Sequence, residues 1–415
     1  MVVDFDSECL IDLLPLYYGR LFPGELMYRW LSYGNPEFFS HREFSFALAG
    51  DVYIRYQSFT SNEDFVAELK RRKPEKIDIG AVYNQKPKTR DTLIDFIPLQ
   101  KEFVLDIDLT DYDDVRTCCQ GAKVCEKCWK FIAVAVKIMD ASLRDDFGFQ
   151  HLMWVFSGRR GVHCWVCDQE AINLDSHARA AILEYLTVIR GGENQAKKVK
   201  IPNADKLHPF ISRSVSIIDD VFDEICRDDQ SMLEQGDKNF EMLPEEVKSA
   251  VKDSADRFNA VMNYINENKK EKKTVRTALY ELKLQLCFPR LDVNVSKDLN
   301  HLLKSPFCVH PKTGKVCVPF DPKKAFEFDT DGVPSITQLM DEINAFDKQP
   351  SSEAKSEADQ KETKVVVVDY KKTSLAPFMK VFEGFVKELE KQRIVKSAAD
   401  NKTIPDKSNI RIDDF

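Results

Sequence analysis

The segment that most constrains the fold is 102–110, in which apolar and acidic residues alternate from Leu105 to Leu109. Successive side chains of a β-strand point to opposite faces, so we predict a buried strand that presents Asp106 and Asp108 on one face. The apolar residues that alternate with them are Leu105, Ile107 and Leu109. Two such carboxylates repel each other and lose hydration unless a cation lies between them. The pattern therefore predicts either a site for a divalent ion such as Mg²⁺, which prefers oxygen ligands, or a solvated strand edge.

Length and charge limit the class of protein. A chain of 415 residues predicts roughly two or three domains with a substantial core. Hydrophobic residues make up 43% and aromatic residues 11% of the chain, as in soluble globular proteins. The 60 basic and 68 acidic residues give a formal charge of −8, which argues against a general nucleic-acid coat. A local basic groove, or a partner that supplies positive surface, stays compatible with this charge.

The first residues lack the basic and apolar regions of a signal peptide, and the longest apolar run, 131–136, is shorter than the ~20 residues that span a bilayer. We therefore expect a protein of the cytosol or nucleus with no membrane contact. Disulfides are rare in those compartments, so the 11 cysteines are expected to be reduced thiols, buried apolar residues or metal ligands.

Four cysteines lie close together in one polar loop, at positions Cys118, Cys119, Cys125 and Cys128. This clustering predicts a tetrahedral structural Zn²⁺ site, because four thiolates leave no open coordination position. The alternative is a chance cluster of core cysteines. A second C-x-x-C, Cys164 and Cys167, lies in a predicted strand, where residues three apart point to opposite faces. We do not expect that pair to bind one ion.

A second distinctive feature is a pair of predicted strands, 152–156 and 162–166, joined by Ser157-Gly158-Arg159-Arg160-Gly161. Two glycines, a hydroxyl and two guanidinium groups in one turn suit phosphate, because arginine matches its oxygens and exposed N–H groups add donors. His163 alternates with apolar neighbours and is expected on the same face. The alternative is an ordinary solvated hairpin with a core histidine.

Residues 9–33 are predicted to form two helices interrupted at 22–24. A hairpin of strands 43–48 and 52–56 follows, in which Glu43 and Arg55 lie nearly opposite each other. We interpret them as a cross-strand ion pair, with contact to a ligand or template phosphate as the alternative.

The second half of the chain changes character. Residues 191–286 carry helical stripes and charge runs and are predicted to be a helical insertion. Residues 288–295 are predicted to be a strand that presents Asp292 as a third carboxylate, followed by a basic set that includes Lys304 and His310. A polar, disordered linker is expected at 347–364, and then a helix whose apolar stripe packs on the core or binds a partner.

Five motifs, in order, are L-D-I-D-L, the four-cysteine loop, S-G-R-R-G-V-H-C-W, R-L-D-V-N-V, and H-L-L-K-S-P-F with H-P-K-T-G. From the N-terminal helices to about residue 346 the chain resembles the small catalytic subunit of eukaryotic DNA primase, in the archaeo-eukaryotic primase superfamily. The resemblance implies a mixed α/β catalytic domain around two β-sheets (1–190 and 287–346). It also implies a zinc-binding module (118–128) and a helical insertion subdomain (191–286), which leaves a linker (347–364) and a C-terminal helix and tail (365–415).

The resemblance further implies synthesis of short RNA primers from ribonucleoside triphosphates on single-stranded DNA, in the nucleus. Asp106, Asp108 and Asp292 would hold two catalytic Mg²⁺ or Mn²⁺ ions, and the four clustered cysteines the zinc. The residues implied for the nucleotide or its surroundings are Ser157, Arg159, Arg160, His163, Lys304, His310, Glu43 and Arg55. Expected partners are a primase large subunit and the DNA polymerase α complex. The rival hypotheses are a nuclease or repair polymerase of the same superfamily, and a non-catalytic, zinc-stapled interaction subunit.

Overall fold

The two segments that carry the alternating motif and the arginine turn form one antiparallel sheet in the computed structural model of the chain. The structure describes residues 5, 9–92, 94–190, 197–234, 236–348 and 368–403, the side chains of 396–403 excepted. The strands are Arg42–Leu48 (β1), Val52–Gln57 (β2), Lys76–Tyr83 (β3), Pro98–Gln100 (β4), Phe103–Asp108 (β5), Leu152–Phe156 (β6), Gly161–Val166 (β7), Leu303–Lys304 (β8) and Pro319–Phe320 (β9).

Helices surround the strands and fill the second half of the chain. The α-helices are Leu10–Arg20 (α1), Gly24–Ser32 (α2), Pro36–Ser40 (α3), Asn62–Arg72 (α4), Glu126–Asp145 (α5), Gln169–Ile172 (α6), Ser176–Leu186 (α7), Pro209–Asp219 (α8), Glu245–Val251 (α9), Arg257–Asn268 (α10), Lys273–Cys287 (α11), Val293–Lys297 (α12), Ile336–Lys348 (α13) and Ala376–Thr403 (α14). Short 3₁₀ or π turns are Pro87–Thr92, Leu109–Tyr112, Glu224–Asp229, Lys238–Met242, Pro322–Glu327 and Asp369–Lys372. No helix in the described part of the chain is long and apolar enough to span a bilayer.

Two antiparallel sheets form the centre of the fold. The first has the order β2-β1-β3-β4 with β8 added to β3, and the second has the order β5-β7-β6-β9. The predicted fold class, a mixed α/β protein built around two sheets, is therefore confirmed. The predicted domain boundaries stay a prediction.

Most of the local predictions agree with the observed elements. The alternating segment forms β5, with Leu105 and Ile107 fully buried and Asp106 and Asp108 half-buried. The arginine turn joins β6 and β7 as predicted. The first hairpin forms β1 and β2, and the break at 22–24 separates α1 from α2.

The strand predicted at 288–295 is wrong, since these residues form no strand and Val293–Lys297 form α12. Asp292 instead caps the short helix α12, and its carboxylate accepts from the N–H of Asn294 at 3.0 Å. Aspartate bonds the backbone two residues on, which favours a helix start over a strand ladder. The backbone N–H of Asp292 still donates to the Asp106 carbonyl at 3.1 Å, so Asp292 lies beside β5.

The predicted linker begins too early. Asp347 and Lys348 end α13, and Asp347 forms ion pairs with Arg20 at 2.8 Å and Lys372 at 3.1 Å. The rest of the predicted linker, 349–364, lies outside the described residues, as do 191–196 of the predicted insertion and 365–367 and 404–415 of the tail.

The C-terminal helix α14 packs on the core, which confirms the first of its two predicted roles. Its buried residues Met379, Phe382, Val386 and Leu389 form the apolar stripe. The Phe382 ring centroid lies 6.0 Å from that of Trp30 in α2 and 5.1 Å from that of Phe307. The last part of the chain therefore stabilises the region around both sheets.

We expect Phe382→Ala to lower the free energy of unfolding by about 3 kcal/mol, because the lost ring leaves a cavity among aromatic neighbours. Val395→Ala on the same helix is the control, since Val395 is 68% exposed and should change stability by less than about 0.5 kcal/mol. Denaturant unfolding of the chain without any partner measures both. Equal denaturant concentrations at the midpoint of unfolding for the two variants would show that α14 does not pack on the core.

Candidate active site

Pairing of β5 with β7 brings the acidic residues to the arginine turn. In the register of these strands, Asp106 lies opposite His163 and Asp108 opposite Gly161. A Cβ on Gly161 would lie 2.4 Å from the Ile107 carbonyl oxygen, so only glycine permits this approach of the two backbones. One imidazole nitrogen of His163 lies 3.7 Å from the Asp106 carboxylate.

Asp108 is held in place by two groups. Its Oδ1 accepts from the N–H and the hydroxyl of Thr110 at 2.8 and 2.9 Å. Its other oxygen accepts from Arg160 Nε at 2.8 Å. These contacts fix the direction of the carboxylate beside the mouth of the turn.

The carboxylates form an acidic cluster that neighbouring cations such as Arg160 compensate only in part. Burial, followed by the negative charges of Asp108 and Asp292, raises the pKa of Asp106 to about 7. Burial and the same two neighbours raise the pKa of Asp111. Mutual repulsion in a partly desolvated group of oxygens is what a divalent cation relieves. The donor set therefore fits Mg²⁺ or Mn²⁺.

Cations face the acids across a cavity of about 310 Å³. The predicted residues that line it are Asp106, Asp108, Ser157, Arg159, Arg160, His163, Lys304 and His310. Lys304 Nζ donates to the Ser157 carbonyl at 2.7 Å, and the Thr313 hydroxyl donates to the Gly158 carbonyl at 2.8 Å. The turn is thus fastened through its backbone carbonyls, and the side chains of Arg159 and of Arg160, which also pairs with Asp108, line the cavity.

Two of the histidines that line the cavity, His163 and His310, are neutral at physiological pH. Burial, followed by the charges of Lys304 and Lys76, lowers the pKa of His163 to about 3. Burial, followed by Lys304, Arg159, Lys312 and Arg160, lowers the pKa of His310 to about 3. The positive charge of this wall therefore comes from its arginines and Lys304.

Glu43 and Arg55 do not line this cavity. Their predicted ion pair is confirmed, with 2.9 Å between Arg55 Nε and the Glu43 carboxylate. Glu43 is fully buried and also accepts from the Tyr56 N–H at 3.2 Å and the Tyr83 hydroxyl at 3.1 Å. Glu43 therefore organises neighbouring side chains.

The structure adds three residues that the sequence did not indicate. Lys76 and His301 line the cavity, and Asp111 joins the acidic cluster. Asp111 lies in a 3₁₀ turn after β5, outside the strand alternation. Lys76 lies in β3, which contains none of the five motifs. His301 is the first residue of the H-L-L-K-S-P-F motif, but the motif did not indicate where its side chain points.

The four clustered cysteines converge as predicted, with their sulfur atoms all within 4.8 Å of one another. The separations are 3.6 Å for Cys118 to Cys125 and 3.8 Å for Cys125 to Cys128. Four sulfurs at about 2.3 Å from a central Zn²⁺ would lie about 3.8 Å apart in a regular tetrahedron. The set therefore fits zinc, while Cys164 and Cys167 do not belong to it.

The cysteine loop is supported from the helical region. Gln230 accepts from the N–H groups of Thr117 at 2.7 Å and Cys118 at 3.2 Å, and its amide reaches the Cys118 sulfur at 3.3 Å. Burial raises the pKa of Cys118, Cys119 and Cys128 to about 11. Thiolates are the ligand form, so a bound cation is needed to keep these groups deprotonated.

A family model described as DNA primase small subunit matches residues 105–322, more than half of the chain. The chain belongs to the DNA primase small subunit family. Membership implies DNA primase function, a role in DNA replication and assembly into a primase complex.

Curated relatives cover nearly the whole chain. A DNA primase small subunit of Drosophila melanogaster is 42% identical over 95% of this chain and 94% of its own length. One of Caenorhabditis elegans is 39% identical over 92% of this chain and 99% of its own. One of Saccharomyces cerevisiae is 37% identical over 82% of this chain and 91% of its own. The primase resemblance found in the motifs is thereby confirmed.

We expect this primase-family chain to purify with one zinc ion, and Cys125→Ser to lose it, because a hydroxyl replaces a thiolate ligand. Cys167→Ser is the control, since that residue belongs to the other C-x-x-C. Atomic absorption on the purified proteins gives the stoichiometry. Equal zinc content in the two variants would refute the site.

Proposed function

We propose that this chain is the catalytic subunit that makes short RNA primers from ribonucleoside triphosphates on single-stranded DNA by two-metal-ion nucleotidyl transfer. The observation that supports it is one cavity with carboxylates at one wall and phosphate-binding groups at the other. An acidic pair alone would suit a nuclease equally. The cationic wall, built to receive a triphosphate, favours nucleotide addition.

Asp106, Asp108 and Asp292 would hold Mg²⁺ or Mn²⁺. When bound, such ions activate the 3′-hydroxyl nucleophile and offset charge on the attacking and leaving oxygens of an in-line displacement. The chain's own contribution is orientation. Thr110 fixes one oxygen of Asp108, and the β5–β7 pairing fixes Asp106.

The cationic wall would bind the triphosphate. Arg159, Arg160 and Lys304 supply the charge, and Ser157 and the turn's N–H groups supply further donors. Arg160 already pairs with Asp108, which directs it to the border between acids and phosphates. His163 and His310, being neutral, would act as hydrogen-bond donors that orient oxygens without adding charge.

The charge of the whole chain bears on how it holds a template. With a formal charge of −8, a single subunit has little general attraction for a template. We therefore propose that it initiates poorly alone and depends on a partner subunit, which the resemblance to eukaryotic primases identifies as a primase large subunit acting with the DNA polymerase α complex in the nucleus. If the isolated chain initiated on single-stranded DNA as well as the full assembly does, this dependence would be disproved.

Asp108→Asn keeps the shape of the side chain but removes a charged metal ligand. We expect it to lower the synthesis of oligoribonucleotides on unprimed poly(dT) by at least about 100-fold, measured with labelled ATP in the assembled complex. The control is Asp145→Asn, at a side chain that is 62% exposed and pairs with Arg213. Normal synthesis by Asp108→Asn would favour the scaffold hypothesis, and cleavage without oligomers by the wild type would favour the nuclease.

Lys304→Gln tests the cationic wall. Losing a charge-assisted contact to phosphate should raise the KM for ATP by about tenfold or more. Lys323→Gln, an exposed lysine in the turn Pro322–Glu327, is the matched control. Steady-state extension of a primed template measures both, and an unchanged KM in Lys304→Gln would remove Lys304 from the nucleotide site.

A further inference from the structure

A second cavity, of about 500 Å³, opens next to the first, and its lining includes three aromatic residues and an arginine. We call Tyr56, Tyr83, Phe96 and Arg90 the aromatic platform. Tyr83 and Phe96 stack with ring centroids 4.0 Å apart and planes 6° from parallel. The Arg90 guanidinium lies 4.1 Å from the centre of the Tyr56 ring. The cavity has the size of a small-ligand site. Tyr83 is 3% exposed and supports Phe96 by stacking, so the rings within reach of a ligand are those of the half-buried Tyr56 and Phe96.

The platform is held under backbone strain. Tyr56 has a φ of 59°, a left-handed conformation that bulky residues rarely adopt and that persists where surrounding contacts enforce it. The enforcing group is the buried Glu43, which accepts from the Tyr56 N–H and from the Tyr83 hydroxyl. A buried carboxylate thus positions two rings of the platform, and such strain concentrates at functional sites.

The platform is continuous with the active-site cavity. Asn300 lines the aromatic cavity, and the next residue, His301, lines the active-site cavity. Arg55, paired with Glu43, also donates to the Asn300 carbonyl at 3.3 Å. Along β3, Asp78 pairs with Lys304, and Tyr83 lies about 17 Å farther on at the usual rise of a strand. The aromatic cavity therefore lies at the end of the nucleotide site away from the cations that would bind the triphosphate.

Exposed cations border the platform. Lys86, Lys88 and Arg90 are exposed and form no ion pair with any described residue. Asp91 and Asp95 are the acids of the same segment, so the rim stays net positive on a chain that is acidic overall. This combination of flat rings and cations suits unpaired bases and their phosphates.

We propose that the aromatic platform stacks an unpaired base of the single-stranded template, next to the base that pairs with the incoming nucleotide. This proposal rests on the proposed function, because a template strand is needed only for templated synthesis. Primer bases are paired and already stacked, whereas template bases that await copying have free π-faces. Stacking on one aromatic side chain changes the Kd by about 5- to 150-fold per base and accepts every base.

Photocrosslinking maps the contact in the full complex without requiring catalysis. Single 5-iododeoxyuridines are placed at successive positions of the unpaired template 5′ of the copied base, and in a parallel series 5-iodouridines in the primer. We expect an adduct on Tyr56 or Phe96, the half-buried rings of the platform, from one or two template positions. Adducts on these residues from the primer series, or none from any template position, would overturn the proposal. If the wild-type complex made no primers, the proposed function would be rejected. The crosslinks would still test stacking of the template, because they do not require catalysis.

Substitutions supply an independent readout. Arg90→Gln removes an exposed guanidinium from the platform, and Phe96→Leu removes a stacking face while keeping an apolar side chain. Each should raise the KM for template about tenfold and raise the KM for ATP much less. Arg71→Gln is the matched control, because Arg71 lies on α4, which packs on the opposite face of the first sheet through Phe65 and Phe44. Equal increases in both KM values, or none, would contradict a role in template binding.

Discussion

The close pairing of β5 with β7 is the contact on which the candidate active site depends. Six residue pairs, from Phe103 with Val166 to Asp108 with Gly161, define one register. A slip of a single residue would turn Asp106 and Asp108 into the core and the apolar side chains out. The register is fixed at its end by Gly161, which allows the Ile107 carbonyl to approach, and by the Leu109 N–H, which donates to the Arg160 carbonyl at 3.1 Å. The acids and the arginine turn are thus placed by the same backbone contacts.

A site made of repelling acids needs a rigid support, and a buried ion pair between the sheets provides part of it. Arg42 of β1 and Glu102, which precedes β5, are both fully buried and lie 2.9 Å apart. Tyr33 donates to the same carboxylate at 2.7 Å, and Arg179 of α7 donates to the Glu102 carbonyl at 3.1 Å. Removing either member of such a pair leaves an uncompensated buried charge. The pair therefore ties the first sheet to the strand that carries the aspartates.

Much of this arrangement could be predicted from the sequence, because it depends on patterns among residues close together in the chain. Alternation predicted β5, the glycine-flanked arginines predicted the β6–β7 turn, and the spacing of four cysteines predicted their convergence. Asp292 shows the limit of such patterns, since alternating apolar residues suggested a strand where an N-cap bond to Asn294 begins a helix. Its position beside Asp106 depends on a backbone contact across 186 positions of sequence (292 minus 106), and no local pattern encodes that. Lys76 and His301 were missed for the same reason, whereas Asp111 was missed because it lies in the 3₁₀ turn directly after β5, where strand alternation no longer applies.

The position of Glu43 links the two cavities physically. As a cross-strand partner of Arg55 it looked like a surface ion pair, which contributes little to stability. Buried, the same carboxylate receives donors from Arg55, Tyr56 and Tyr83, and Arg55 in turn holds the Asn300 carbonyl. Asn300 leads through His301 to Lys304, which fastens the arginine turn at Ser157. The groups that would receive the triphosphate and the rings that would receive a template base are therefore joined by one chain of hydrogen bonds and backbone. The links at Glu43 and between Lys304 and Ser157 are at least partly buried, whereas the bond from Arg55 to the Asn300 carbonyl is exposed. The backbone from Asn300 to Lys304 therefore sets the distance between the two cavities.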